Sequence, residues 1–172
     1  YIMHSEDRTH DWFGGCPQSG FLSPYDTYKQ TRGKEVIKFA VWRDPVERLV
    51  SCYKYFCLEK WYRHYFHFLD LYREPTFDHF MMFVRFELDK KCIILQDEHI
   101  RRQSDFYSPD DVDFIVPIKK LDTFLQKYNV PIQYGLKNST HVDFKLDNEE
   151  YINEIRELYR ADYEILNSTK YI

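Results

Sequence analysis

The chain has 172 residues, 44% of them hydrophobic and 19% aromatic, enough apolar material for one ordinary globular core but not for two. Its formal net charge is -4 and its pI about 6.0, so no global positive field recruits a polyanion, and any grip on phosphate must come from local Arg, Lys and His. Nucleic acid is therefore not the expected partner, and with no run near the ~20 apolar residues of a membrane span and no signal-peptide pattern, a soluble single domain over residues 1–172 is expected.

Residues 1–33 are rich in Gly, Ser, Pro, His and Asp without periodicity and read as loop, with a short helix around Tyr25 to Lys29. Glu35 to Trp42 is a compact apolar run followed by Arg-Asp-Pro, which predicts a strand buried on both faces and then a helix opening at Pro45, where proline's missing N–H costs nothing. Val46, Leu49, Val50, Tyr53 and Phe56 or Cys57 recur at helical spacing and form its inner stripe. Residues 61–72 and Thr76 to Lys91 predict two further helices, the second with Phe77, Phe80, Met81, Val84 and Leu88 inward. Asp97 to Asp111 is polar and ends in a Ser-Pro-Asp turn, so an exposed loop is expected there. Val112 to Ile118 is a second β-rich run, "KKLDTFLQKYNV" a short helix, "GLKNSTHVDFKL" a loop, and Asn148 to Leu166 a terminal helix with Tyr151, Ile155, Leu158 and Tyr159 inward. Strands alternating with helices predict an α/β architecture with a parallel sheet.

Four cysteines, Cys16, Cys52, Cys57 and Cys92, lack zinc-type spacing and are expected as buried free thiols. His64 and His67 stand three apart on an aromatic helix with no companion ligand and are expected to be structural, so no metal is expected. Two sequons, at Asn138 and Asn167, matter only in a secretory compartment.

The chemistry concentrates at the first strand-to-helix turn. In open α/β sheets ligands collect beyond the carboxyl ends of strands, where helix N-termini present N–H groups. Arg43 lies at such an edge and Ser51 follows early in the helix, so a guanidinium fork and a hydroxyl can share one crevice, a pairing suited to a phosphate monoester. The plain structural alternative is that Arg43 pairs with Asp44 or Glu47 and Ser51 is an ordinary helical residue.

"VWRDPVERLVSCYKYF" resembles the 3'-phosphate-binding segment of the carbohydrate sulfotransferases, which move a sulfuryl group from 3'-phosphoadenosine 5'-phosphosulfate (PAPS) to a sugar hydroxyl. "DEHIRRQ" (Asp97 to Gln103) is similar to that family's Asp-x-His-x-x-x-Gln element, with Arg102 where a Pro is common, and "VDFIVPIKKLDTFL" and "LKNSTH" follow in the family's order. The resemblance covers residues 36 to about 166. It implies a P-loop-nucleotide-like sulfotransferase fold with a central parallel sheet flanked by helices, PAPS as donor without a metal, and a glycan or polysaccharide acceptor. By the same resemblance Arg43 and Ser51 hold the 3'-phosphate, and Lys137, Ser139 and Thr140 close over the nucleotide. In such enzymes the base precedes the Arg-Ser motif, which makes His10 the first candidate and His4 the second; a histidine titrating near neutrality suits that work. His99, Arg101 and Gln103, with Arg102 among them, form a polar cluster expected to grip the acceptor, or else a surface charge run.

One departure from the family pattern stands out. The Lys-containing Gly/Ser/Thr loop that cradles the 5'-phosphosulfate has no clear counterpart: "FGGCPQSG" (Phe13 to Gly20) has the glycines but no lysine. The loop is expected upstream of Tyr1; otherwise the chain is a non-catalytic nucleotide- or glycan-binding relative. The acceptor, the oligomeric state (homo-oligomer or monomer) and the compartment (bacterial cytoplasm or Golgi lumen) stay open.

Overall fold

A computed structural model of the chain describes residues 32–33, 36–59, 74–129 and 142–172. The first apolar run forms strand β1 (Phe39–Trp42), which pairs in parallel with β2 (Phe114–Pro117), Phe39 opposite Phe114 and Trp42 opposite Pro117. β1 is shorter than the run predicted. Just before it, the Lys38 N–H donates to the Asp113 carboxylate at 2.8 Å instead of to a neighbouring strand, and Val36 and Ile37 are exposed.

Successive strand residues face opposite sides of a sheet, and β2 uses both. Ile115 packs with Trp42 and Ile165 on one face, while Val116 packs with Phe124 and Leu125 on the other. Coverage on both faces is why these strands read as continuous apolar runs and not as alternating ones. At the far edge of β2 the Ile115 N–H donates to the Lys170 carbonyl at 2.8 Å, in a parallel bridge of Ile115 with Tyr171 near the chain's end. Helices around a small parallel sheet make this an α/β fold.

Helix α1 (Pro45–Tyr53) starts as predicted. Pro45 occupies its first turn and the Asp44 carboxylate accepts the Glu47 N–H at 3.0 Å, satisfying one of the donors a helix start leaves open. Past Tyr53 the helix widens into a π turn (Lys54–Leu58), closed by Glu59 N–H donating to Lys54 O at 2.9 Å. The wider turn lets both Phe56 and Cys57 point inward, where regular spacing offered one or the other.

Helix α2 (Phe77–Leu88) is capped by Thr76 and His79 and buries Phe77, Phe80, Met81 and Val84 as predicted, together with Phe83. Its aromatics meet Tyr53, Phe144 and Tyr151 edge-on, tilted or stacked at centroid distances of 5.1–5.7 Å. Glu87 is also buried, its carboxylate held by the Lys90 ammonium at 2.6 Å and by the Asp97 N–H at 2.7 Å. The predicted helix over 61–72 and most of the loop from Gly135 lie outside the described residues.

Residues 97–111 are not the exposed loop that their polarity suggested. They pass as tight turns (Gln103–Asp105 and Pro109–Asp111) along the core, with Ile100 and Gln103 buried; Phe106 and the turn with Ser108, Asp110 and Asp111 are exposed, the latter as expected. After β2 a 3-10 turn (Ile118–Lys120) leads into α3 (Leu121–Lys127), which covers one face of the sheet.

The predicted terminal helix is broken in two, α4 (Glu149–Leu158) and α5 (Arg160–Glu164), at Tyr159, whose φ of -110° and ψ of 23° leave the helical region. Tyr159 is fully buried and its hydroxyl donates to the Ile100 carbonyl at 2.5 Å. The break carries the fully buried Asp162 inward. One of its carboxylate oxygens accepts the Gln103 N–H at 2.9 Å, the other accepts the Ser104 N–H at 2.9 Å, and the Arg48 guanidinium stands 3.8 Å away.

Of the cysteines, Cys52 and Cys57 are buried free thiols as expected, Cys92 is exposed, and Cys16 lies outside the described residues. Cys92 sits in an extended link between α2 and the exposed Ile93–Leu95 turn.

This packing sets one expectation for stability and one for thiol reactivity. Removing the acceptor at the break, Asp162→Ala, leaves the Arg48 charge and two backbone donors uncompensated and is expected to lower unfolding free energy by about 3–5 kcal/mol, read by urea denaturation. Burial pushes the Cys52 thiol up to about 11, against the pull of Arg48 and Arg43. Near neutral pH Cys52 is thus protonated and unreactive, so alkylation of the native chain followed by peptide mapping should label Cys92 well before Cys52 or Cys57.

Candidate functional site

The carboxyl ends of β1 and β2 deliver two basic side chains to one edge of the sheet, Arg43 directly after β1 and Lys119 two residues after β2. The two acids beside Arg43 are engaged elsewhere. Asp44 caps α1 with one oxygen and accepts the Tyr163 hydroxyl with the other at 3.1 Å. Glu47 takes the Lys119 ammonium at 2.5 Å. Burial, followed by the Asp44 charge and hydrogen bond, raises the Tyr163 phenol and keeps it a neutral donor.

Arg43 therefore makes no ion pair with any described carboxylate. Its guanidinium lies along α1 and donates to the Glu47 carbonyl at 3.3 Å. In an α-helix that carbonyl also receives the N–H four residues on, which is Ser51. The guanidinium and Ser51 thus belong to the same face of the helix, one turn apart, and Ser51 is half-buried there. Because Asp44 already caps α1 and Pro45 has no N–H, the helix start itself offers little to an anion. Binding at this edge rests on side chains, a change from the expectation of free N–H groups.

Arg43 is held by its own peptide. The Gln103 amide oxygen accepts the Arg43 N–H at 2.8 Å and the amide nitrogen donates to the Arg43 carbonyl at 2.8 Å. Gln103 is only 7% exposed, so the sequence expectation of an acceptor-gripping side chain is corrected: its amide is spent on the backbone of β1's end. Arg101 is also turned inward on its own loop. It donates to the carbonyls of Gln96 at 3.0 Å and Ile94 at 3.4 Å, and its guanidinium lies 4.9 Å over the Phe106 ring. Arg102 donates to the Leu158 carbonyl at 2.8 Å.

His99 is partly exposed. Its Nδ1 lies 3.2 Å from the Asp97 carboxylate, which also accepts the His99 N–H at 2.9 Å, and its ring meets Phe56 edge-on at 5.3 Å. Its carbonyl accepts from the Cys52 thiol at 3.7 Å, which places it against the α1 residue next to Ser51. Beside it, burial raises the Glu98 carboxyl above its usual range, with the neighbouring His99 opposing that shift. His99 is thus a carboxylate-oriented, half-buried side chain set against the same helix as Ser51.

His4, His10, Lys137, Ser139 and Thr140, like His64, His67 and the glycine-bearing stretch 13–20, lie outside the described residues. Among the described residues no group of three or more His, Cys, Asp or Glu side chains could hold a metal ion, and no helix is long and apolar enough to cross a membrane. Two residues central to the site went unread in the sequence, Arg48 and Asp162. Asp162 carried a signal: it falls seven residues after Ile155, continuing the inward stripe of the terminal helix with an acid where an apolar residue would belong.

Neither a curated protein nor a solved structure matches the chain. A family model does, that of the sulfotransferase family, over residues 4–129. The match takes in the Arg43–Ser51 turn, the Asp97–Gln103 segment and the whole parallel pair, and stops short of Lys137. With well over half its length matched and the Arg-Ser turn set at a parallel sheet's carboxyl edge, the chain belongs to the sulfotransferase family.

Proposed function

We propose that this chain is a PAPS-dependent carbohydrate sulfotransferase whose residues form one P-loop-nucleotide-like domain, and that Arg43 and Ser51 bind the donor's 3'-phosphate. The observation that carries the reading is the state of Arg43: a guanidinium at the carboxyl end of a parallel strand, on the Ser51 face of α1, without a carboxylate partner among the described residues while the adjacent acids are engaged by other groups. An anion is the natural complement of such a group, and a phosphate monoester suits a fork plus a hydroxyl. Membership of the family supports sulfuryl transfer as the chemistry.

Transfer of a sulfuryl group, like phosphoryl transfer, demands in-line positioning and neutralisation of charge on the leaving phosphate. Arg43 and Ser51 anchor the nucleotide end of the donor and so fix where its sulfate sits. Lys137, Ser139 and Thr140 are assigned to closing over the nucleotide, and His10, with His4 as the second candidate, to taking the proton from the acceptor hydroxyl. The acceptor is assigned to a glycan or polysaccharide, with His99 at its edge, and the reaction to proceed without a metal. Lys119, released from Glu47, can add a second positive charge at the same edge.

The first test is calorimetric titration of the chain with adenosine 3',5'-bisphosphate. Arg43→Ala is expected to weaken binding by about 1.5–3 kcal/mol, roughly ten- to hundredfold in Kd, and Ser51→Ala by less, since a neutral hydroxyl contributes about 1 kcal/mol. Unchanged affinity in Arg43→Ala ends the phosphate reading. A second reading, a non-catalytic binder, is favoured by the absence of lysine from the glycine-bearing stretch 13–20. Transfer of radiolabelled sulfate from PAPS to a panel of desulfated glycans separates the two: label in any glycan supports the enzyme, while tight nucleotide binding with no label across the panel supports the binder.

A further inference from the structure

Gln103 is bound to Arg43 through both ends of its amide, and the structure assigns it, locked by Asp162, as the positioning residue of the phosphate-binding arginine. The inference rests on the reading of Arg43 as the phosphate ligand. An amide can sit either way round in most pockets, but here the choice is forced. The Asp162 carboxylate can only accept, and it lies 3.3 Å from Gln103 Nε2, so the NH2 end must face it. The second N–H of that group then donates to the Arg43 carbonyl at 2.8 Å, and the carbonyl end is left to accept the Arg43 N–H, also at 2.8 Å. All three bonds are satisfied in one orientation; in the flipped one Arg43 loses both partners and two oxygens face each other.

The arrangement imitates one rung of a β ladder. β1 ends at Trp42 and its pairing with β2 stops at Pro117, whose ring nitrogen has no hydrogen to donate. Gln103 supplies the next donor and acceptor in place of a strand residue. Trp42 is fixed from the same source, since its indole N–H donates to the Asp162 carbonyl at 3.0 Å. Arg48 closes the set, 3.8 Å from the Asp162 carboxylate and donating to the Arg101 carbonyl at 2.8 Å. Asp162 thus orients Gln103, Gln103 fixes the Arg43 peptide, and the guanidinium is aimed from a backbone that cannot swivel. Preorganisation of this kind raises affinity by removing the ordering that binding would otherwise require.

The test is the coupling between Gln103 and Arg43 in binding adenosine 3',5'-bisphosphate by the full chain. Gln103→Met keeps volume and removes both bonds. It is expected to weaken binding about tenfold, the ordinary effect of losing well-formed hydrogen bonds. In an Arg43→Ala background the same change should alter affinity by no more than about twofold, the usual scatter of additive effects. Phe80→Leu, which thins the core under α2 without touching this segment, serves as a stability control and should lower the thermal midpoint while leaving affinity unchanged. Should Gln103→Met not fold, Gln103→Asn keeps an amide in the pocket one methylene short of Arg43 and is expected to behave alike. Arg43→Ala weak and Gln103→Met silent, or equally weakening with and without Arg43, overturns the positioning role alone. Arg43→Ala binding normally removes the phosphate site and the positioning role with it.

Discussion

Around one buried carboxylate three distant stretches of this chain are tied together. Asp162 accepts from the backbone at Gln103 and Ser104, orients the Gln103 amide, and lies within reach of Arg48 on α1. Its own carbonyl takes the indole of Trp42 at the end of β1. A charge taken out of water is tolerated only with its hydrogen bonds nearly filled, and here each bond that fills Asp162 also places another segment. The terminal helix breaks at Tyr159 so that this can happen; an unbroken helix would carry Asp162 along a different line. Tyr159 completes the joint, with its hydroxyl on Ile100 and the Arg48 guanidinium 5.3 Å over its ring.

The functional edge inherits its order from that joint. Parallel strands bring their carboxyl ends to the same side, so Arg43 and Lys119 emerge together without special provision. What distinguishes this edge is the sorting of charges. Asp44 is committed to the helix cap and to Tyr163, Glu47 to Lys119, and Arg43 is held by its peptide while its guanidinium touches only a backbone carbonyl and no carboxylate. A guanidinium whose backbone is fixed and whose neighbours are already neutralised is suited to an incoming anion, because no ion pair has to be broken first. Membership of the sulfotransferase family and this sorting point the same way while resting on separate observations, one on sequence and one on geometry.

The polar segment Asp97 to Ser104 shows how charge density misleads. Its six ionisable or amide side chains from Asp97 to Gln103 look like a surface run, yet Gln103 faces the core and Arg101 and Arg102 spend their guanidinium groups on carbonyls. A stretch without regular secondary structure that crosses a core must satisfy its own backbone groups and those of its neighbours, and long polar side chains do this at small cost in volume. The polarity that suggested solvent is the means by which the segment lies against the core, with Ile100 and Gln103 buried in it. His99 differs because Asp97, two residues away, orients it locally.

Local patterns in the sequence were enough to determine the strand-then-helix turn at Arg43, the helix start at Pro45, the inner stripes of α1, α2 and α4, and the α/β class, since each depends on spacing over a few residues. They also placed Arg43 and Ser51 as a candidate pair, one at the strand's end and the other early in the helix that follows, where both can face one crevice. Which carboxylates Arg43 would meet was not legible, for it depends on Lys119 and Tyr163, some 72 and 119 positions from their partners. The same holds for Gln103, whose amide serves a peptide 60 positions earlier, and for the partners of Asp162, which lie 59 and 58 positions away at Gln103 and Ser104. Periodicity reports which side of an element is apolar; only the folded chain decides which polar group fills another's hydrogen bonds, because that pairing is set by distances between segments that sequence spacing does not encode.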